Sequence, residues 1–277
     1  MTKNWFITGT SSGLGRLLAE RLLARGDRVA ATVRNAAALD DLSARYGERL
    51  HTLTLDVTDA NAVREAVGRA FEAMGRIDVV VSNAGYGLFG AAEEVTDEQI
   101  DRQIATNLTG SIQLIRAALP YLREQGGGRI VQVSSEGGQT VYPGFSLYHA
   151  TKWGIEGFVE AVALEVAPFG IDFVIVEPGP TGTSFRTNLL SPEPLPVYDA
   201  TPVGEIRRRI NGDAFPRLGD AGKTVDAMIV AADADRPARR LTLGSTAYQS
   251  ISKALAGRLA ELEAQKSVAL AADVSDS

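Results

Sequence analysis

The chain has 277 residues, with 28 basic and 34 acidic side chains, a formal net charge of −6 and 45% hydrophobic residues. That hydrophobic content excludes a disordered chain, and the acidic balance argues against a partner with a phosphate backbone. No cysteine is present, and His51 and His149 are the only histidines; disulfides, thiolate metal sites, thiol nucleophiles and histidine metal clusters are not expected.

The start of the chain lacks the basic and long apolar regions of a signal peptide. No window reaches the ~18 apolar residues of a membrane span. A soluble, cytoplasmic protein is the expectation. Apolar strand-like runs at Trp5–Thr8, Arg28–Val33, Leu50–Asp56, Val79–Ser82, Arg129–Ser134, Ile171–Glu177 and Arg240–Leu243 alternate with helical patterns. The helices are read at about Gly13–Arg25, Ala37–Tyr46, Ala60–Met74, Asp97–Arg123, Ser146–Ala167 and Gly222–Asp233. Strand–helix alternation with continuous apolar strands predicts an α/β fold: a parallel sheet covered by helices on both faces.

The first strand runs into Gly9-Thr10-Ser11-Ser12-Gly13-Leu14-Gly15. Glycines in such a turn serve either a tight strand-to-helix turn or the approach of a phosphate to the main chain, where the helix N-terminus adds free N–H groups. The second strand ends at Val33-Arg34-Asn35. An acidic residue there would bind ribose hydroxyls, whereas Arg34 suits a 2′-phosphate or is a solvated surface charge. Asp56-Val57 ends the third strand, and the Asp56 carboxylate is placed to accept an adenine amino group or to cap the next helix. The fourth strand ends in Asn83-Ala84-Gly85-Tyr86-Gly87 and the fifth in Ser134-Ser135.

The following helix carries Tyr148-His149-Ala150-Thr151-Lys152. Tyr148 and Lys152 are i and i+4 and share a face. A lysine beside a phenol is expected to lower the tyrosine pKa from ~10 toward neutrality, fitting it to exchange a proton with a carbonyl or alcohol oxygen. Ser135 ends a strand at the sheet edge where such folds bind ligands, and its hydroxyl could hold the same oxygen. Pro178–Asp220 contains seven of the 11 prolines and little periodicity beyond a short Val203–Ile210 helix, and is read as a lid. Arg207-Arg208-Arg209 reads as that helix's polar side, Ser245–Gln265 as an amphipathic C-terminal helix, and Ser267–Ser277 as a loose tail.

Together these motifs resemble the short-chain dehydrogenase/reductase family, in its hydroxysteroid-dehydrogenase-like carbonyl reductase branch, over about residues 3–245. Its T-G-x-x-x-G-x-G stands as Thr8 to Gly15, its N-A-G as Asn83-Ala84-Gly85, and its Y-x-x-x-K as Tyr148 to Lys152. Its serine thirteen residues before the tyrosine selects Ser135, and Pro178-Gly179 matches its P-G after the sixth strand. The resemblance implies a Rossmann-type doubly wound parallel sheet of about seven strands. It implies one domain over 1–266, with the lid at about 180–220, the C-terminal helix at about 245–265 and a flexible tail at 267–277.

The reaction implied is reduction of a ketone or aldehyde, or the reverse, by hydride transfer with NADP(H), with NAD(H) less favoured and no metal. Carried over, Tyr148 is the general acid/base, Lys152 its activator and a ribose ligand, Ser135 the carbonyl orienter, and Asn107 the anchor of a proton-relay water. The cofactor would meet Gly9, Ser11, Ser12, Gly13, Leu14, Gly15, Arg34, Asp56, Val57, Asn83, Ala84, Gly85, Pro178, Gly179, Thr181 and Thr183, besides Tyr148 and Lys152. The substrate wall is expected at Tyr86, Gly137, Val141, Tyr142, Phe145 and Phe185, for a small hydrophobic carbonyl or alcohol. A homo-oligomer, dimer or tetramer, is expected, with no nucleic-acid or membrane partner. Ser82 replaces a frequent asparagine, Ser12 a frequent basic residue, and Glu136, read as a solvated loop carboxylate, puts a charge after the serine. The alternative is a non-catalytic NADP(H)-sensing protein on the same fold.

Overall fold

Seven strands pair in parallel, in the order β3-β2-β1-β4-β5-β6-β7, in a computed structural model that describes residues 2–185, 187–212 and 219–274. They are β1 (Asn4–Thr8), β2 (Arg28–Val33), β3 (Leu50–Thr54), β4 (Val79–Ser82), β5 (Gly128–Val133), β6 (Ile171–Pro178) and β7 (Arg240–Leu243). Alternate side chains enter opposite layers. Phe6 joins one apolar layer with α3 (Ala60–Met74), α5 (Gly110–Glu124) and α6 (Ser146–Val166). Trp5 and Ile7 join the other with α1 (Gly13–Arg25), α2 (Asp40–Tyr46) and α8 (Ala221–Asp233). Burial of each large side chain contributes about 1.5–3 kcal/mol, and both faces need apolar residues, which is why the strands read as unbroken runs. The strand order reverses between β1 and β4, and ligands bind in the crevice at such a switch point.

Three elements differ from the expectation. The helix expected over Asp97–Arg123 is α4 (Asp97–Ile104), a π turn over Ala105–Thr109 and α5. In the π turn the Gly110 N–H bonds the Ala105 carbonyl, five residues back; the extra residue leaves the amphipathic stripe readable as one helix, and such bulges cluster at functional sites. Strand β3 stops at Thr54 because Asp56 turns away to accept from the Thr58 N–H and hydroxyl. After α9 (Ser245–Ala264) the chain kinks at Gln265 and continues as α10 (Lys266–Leu270), where a loose tail is expected; the helix formers Ala, Leu and Lys account for it. Residues 275–277 lie outside the described residues.

The proline-rich segment closes on itself and leans on the body. The Gly182 N–H bonds Gly219 O at 2.9 Å and the Gly219 N–H bonds Pro180 O at 2.7 Å, so its two ends are paired. Leu190 bridges the Leu88 segment through Phe89 N–H to Leu190 O at 2.9 Å and Leu190 N–H to Gly87 O at 3.0 Å. Helix α7 (Pro202–Asn211) takes the place of the short helix expected there. The segment's far end at 213–218, with Phe215 and Pro216, lies outside the described residues. Among the described residues no helix is long and apolar enough to cross a membrane.

Candidate active site

At the C-terminal edge of β1 the glycines are demanded by close packing. A Cβ on Gly9, whose φ is +71°, would stand 2.8 Å from Ala84 Cα, and one on Gly15 would stand 2.4 Å from both Asn83 Nδ2 and Gly9 O. Asn83 braces this turn by donating from Nδ2 to Thr8 O at 2.9 Å and Gly9 O at 3.0 Å. The Thr8 hydroxyl accepts the N–H groups of Asn83 at 3.0 Å and Ala84 at 3.1 Å. Gly13 differs: at φ +59° a Cβ would meet nothing nearer than 3.9 Å, so packing does not crowd it. Ser12 caps α1 without a side-chain bond, whereas Asp59 and Asp220 cap α3 and α8 with theirs. Uncapped N–H groups behind an open glycine turn, with Ser11 and Ser12 exposed and Leu14 half-buried, fit a diphosphate.

Arg34 is exposed at the end of β2. The loop after it is pinned from α1, because Arg16 donates to Ala38 O at 2.7 Å and pairs with Asp41 at 2.5 Å. Bonds from the Thr58 N–H and hydroxyl, aided by Arg34, hold the Asp56 carboxyl below its ordinary pKa. Val57 packs against the helix after the π turn, where a Cβ on Gly110 would lie 2.8 Å from Val57 O.

Ser135, Tyr148, Lys152 and Asn107 are all buried and lie at the same sheet edge. The Tyr148 phenol lies beside Ser135, whose hydroxyl accepts the Gly137 N–H at 3.1 Å. Lys152 Nζ donates to Val133 O at 3.0 Å and stands 5.6 Å from the Tyr148 ring centre. One expectation is corrected here. The Tyr148 pKa is not lowered by the lysine but pushed up to about 12, first by burial and then by Glu136 and Glu156, against the Ser135 hydroxyl. Burial likewise pulls Lys152 down to about 8, with Glu156 opposing. In a dry pocket desolvation outweighs the single favourable charge.

Asn107 sits on the π turn and spends its amide on Tyr86: Oδ1 accepts the Tyr86 N–H at 3.0 Å and Nδ2 donates to Tyr86 O at 2.8 Å. That clamp leaves Gly85 only 3.2 Å for a Cβ before Asn107 Oδ1. After β6, Pro178-Gly179 packs on the start of α9, where a Cβ on Gly179 would be 2.7 Å from Thr246 Oγ1. Thr181 Oγ1 donates to Gly179 O at 2.9 Å, and Thr183 Oγ1 accepts the Phe185 N–H at 3.3 Å. Thr183 and Ser184 face Gly13 across the crevice, each 3.9 Å from the position of a Cβ there.

Around Tyr148 stand the rings of Phe185, with centres 5.8 Å apart, and Phe145, at 6.2 Å. Two expected wall residues sit differently. Val141 is 67% exposed and points outward; Gly137 has no room to present anything, its would-be Cβ lying 2.8 Å from His149 Nδ1. His149 organises this stretch, with Nδ1 to Gly137 O at 2.8 Å and Nε2 accepting the Tyr142 N–H at 3.1 Å. Glu136 is 6% exposed, not solvated, and takes a bond from Ser250 on α9 at 2.7 Å. Burial raises its pKa against that bond. Arg207 turns inward to Glu94 rather than forming a polar face. A buried group around Glu156, Glu177 and Arg240 escapes the motif reading, although Glu156 stands one helical turn beyond Lys152.

A profile of the short chain dehydrogenase family matches residues 3–194. The chain is 39% identical over 256 residues to Oxidoreductase BOA17 of Botryotinia fuckeliana, covering 92% of this chain and 93% of that protein. It is similar to the crystal structure of a short-chain dehydrogenase from Streptomyces avermitilis, with TM-score 0.91, 39% identity and 98% of both chains covered. A short-chain dehydrogenase from Burkholderia cenocepacia, solved in complex with NADP, gives TM-score 0.74 at 26% identity over 95% of this chain and 97% of that one. The chain belongs to the short-chain dehydrogenase family of oxidoreductases.

Proposed function

We propose that the protein is an NADP(H)-dependent carbonyl reductase, working in reverse as an alcohol dehydrogenase, with Tyr148 as its general acid/base. The observation that carries this reading is the buried Tyr148 phenol beside Ser135, one helical turn from Lys152, in the crevice that the glycine turn overlooks. NADP(H), when bound, supplies or accepts the hydride. Gly9 to Gly15 would hold its diphosphate, Arg34 its 2′-phosphate, and Asp56 and Val57 its adenine. Asn83 to Gly85 would frame its middle, and Pro178, Gly179, Thr181 and Thr183 its nicotinamide end. Exposed Arg34 after a buried Val33, together with the NADP held by the Burkholderia relative, supports the phosphorylated cofactor.

Ser135 orients the substrate oxygen, and Tyr148 delivers its proton to that atom. Burial keeps Tyr148 protonated at neutral pH, the state that reduction requires. Asn107, holding Tyr86 in place, supports the relay that reprotonates the tyrosine. The Phe145 and Phe185 rings around Tyr148 favour a hydrophobic carbonyl substrate under a lid formed by the proline-rich segment. Exposed Tyr121, Trp153 and Leu164 on α5 and α6 are consistent with a homo-oligomer.

The test is Tyr148→Phe, assayed by NADPH absorbance over a panel of carbonyls. Turnover should fall about 10²–10⁴-fold, the range for loss of a general acid, while NADPH binding read by fluorescence is unchanged. Retained turnover would remove Tyr148 from this role.

A further inference from the structure

Glu156 continues the face of α6 that carries Tyr148 and Lys152, four residues beyond the lysine, and only 2% of it is exposed. Its carboxylate is met from three elements. The Ser134 hydroxyl donates to Oε1, Gln139 Nε2 donates to Oε2 at 3.1 Å, and Arg240 from β7 pairs with Oε2. All these partners are donors, which favours the anion, although burial, with Glu177 nearby, leaves its pKa above the ordinary carboxylate value against the Ser134 and Arg240 bonds. Gly138 has been left bare for it: a Cβ there would lie 1.8 Å from Glu156 Oε1.

Arg240 does not belong to Glu156 alone. It also pairs with buried Glu177 on β6 and with Glu160 on α6. Gln139 reaches Glu177 as well, at 3.2 Å, and Thr242 donates to Glu177 at 2.9 Å. The strand end that follows β5 is therefore gripped twice on consecutive residues. Lys152 holds Val133 through its carbonyl and Glu156 holds Ser134 through its hydroxyl, and Ser135 comes next.

We propose that Glu156 is a positioning residue of this site: its anchored carboxylate is the buried counter-charge of the Lys152 ammonium group and fixes the strand end that aims Ser135. The proposal rests on the reading of Tyr148 and Lys152 given above. The charged and titratable groups facing the pair are Tyr148 and Glu160 on α6, Glu136 on the turn after Ser135, Glu177 on β6 and Arg240 on β7. Glu156 favours the protonated lysine, and Arg240 in turn favours the ionised Glu156. Neutralising Glu156 must therefore lower the Lys152 pKa and restoring a carboxylate at that position must restore it, which a purely structural role would not produce.

The chain has only five lysines, so Lys152 can be followed by NMR in protein labelled with ¹³Cε-lysine, its resonance assigned from Lys152→Arg. The wild-type titration midpoint is expected at about 8. Glu156→Gln should lower it by about one pH unit or more. Glu156→Asp, which keeps the charge, should return it to the wild-type value. In turnover, Glu156→Gln should lose kcat with little change in the KM for NADPH. An unmoved midpoint in Glu156→Gln, or a Glu156→Asp midpoint that stays at the Glu156→Gln value, would overturn the proposal. Should Glu156→Gln fail to fold, Glu156→Met, uncharged and of similar length, is read in its place. The lysine titration needs no turnover. Retained activity in Tyr148→Phe would therefore sink the catalytic reading, and an unmoved midpoint would sink this one.

Discussion

Glu94, with none of its side chain exposed, receives two hydrogen bonds from Nη2 of Arg207, 113 residues further along the chain, at 2.6 and 2.7 Å. The same carboxylate accepts the N–H groups of Ala91 at 2.6 Å and Leu195 at 2.9 Å. One side chain thus ties the proline-rich segment and α7 to the loop after β4. Removing one partner of a buried ion pair costs about 3–5 kcal/mol, because the other charge is left without compensation.

Glu94→Gln is therefore expected to loosen the segment over 187–212 while the sheet stays folded. Limited proteolysis should cut there, and the substrate KM should rise with NADPH binding unchanged. The pH dependence has a definite sign. Burial opposes the charge, but the donors Leu195, Ala91 and Arg207 together hold the Glu94 carboxyl below its ordinary pKa. A carboxyl depressed on folding stabilises the protein above its unfolded value, about 4.3, and that contribution disappears as pH falls through the folded value. The Tm gap between wild type and Glu94→Gln should be constant at neutral pH and close on acidification below that range. A gap independent of pH there would contradict the ion pair.

This latch also marks where sequence reading ends. The strands were legible because a sheet covered on both faces needs apolar residues at every position, as in Val79 to Val81. Tyr148 and Lys152 were legible because a helix fixes i and i+4 on one face. Arg207 looked like surface because its partner lies on another element, and no local spacing announces a contact across 113 residues. Glu136 reads as solvated for the same reason: Ser250, which meets it, arrives from the far C-terminal helix. For Tyr148, spacing gives the neighbouring charge but not the depth of burial, and burial dominates its pKa.

His149 offers a second pH test. Because Nε2 accepts the Tyr142 N–H, the ring must be neutral with its proton on Nδ1, donated to Gly137 O. Burial lowers its pKa against the Gly137 bond. Relative to an unfolded value near 6.5, its contribution to stability is complete above that pH and is lost as pH falls through the folded value. Protonation would break the Tyr142 bond and release the turn that follows Ser135. In NMR the His149 ring signal, told from that of His51 by a His51→Gln variant, should titrate with a midpoint below 6.5, and kcat/KM should fall over the same range. A midpoint at or above that value would show that the Tyr142 N–H does not hold the ring neutral.

Cofactor choice rests on fewer groups. Val33 is buried, the Asn35 side chain is committed to the Ala37 N–H at 3.2 Å, and exposed Ser12 brings no charge to the glycine turn. Arg34 is then the side chain at the end of β2 that can pair with a 2′-phosphate. A hydrogen bond to a charged group contributes about 1.5–3 kcal/mol, or about 10–150-fold in affinity. Arg34→Ala should weaken NADPH by about that factor and leave NADH unchanged. Arg34→Asp should go further: its carboxylate repels the phosphate and can accept from the ribose hydroxyls of NADH, so the preference should invert. Since Arg34 is exposed, salt should screen its attraction for the 2′-phosphate and weaken NADPH relative to NADH. The measurement is kcat/KM with each cofactor at two ionic strengths. A ratio unchanged in Arg34→Asp would move 2′-phosphate recognition away from the end of β2.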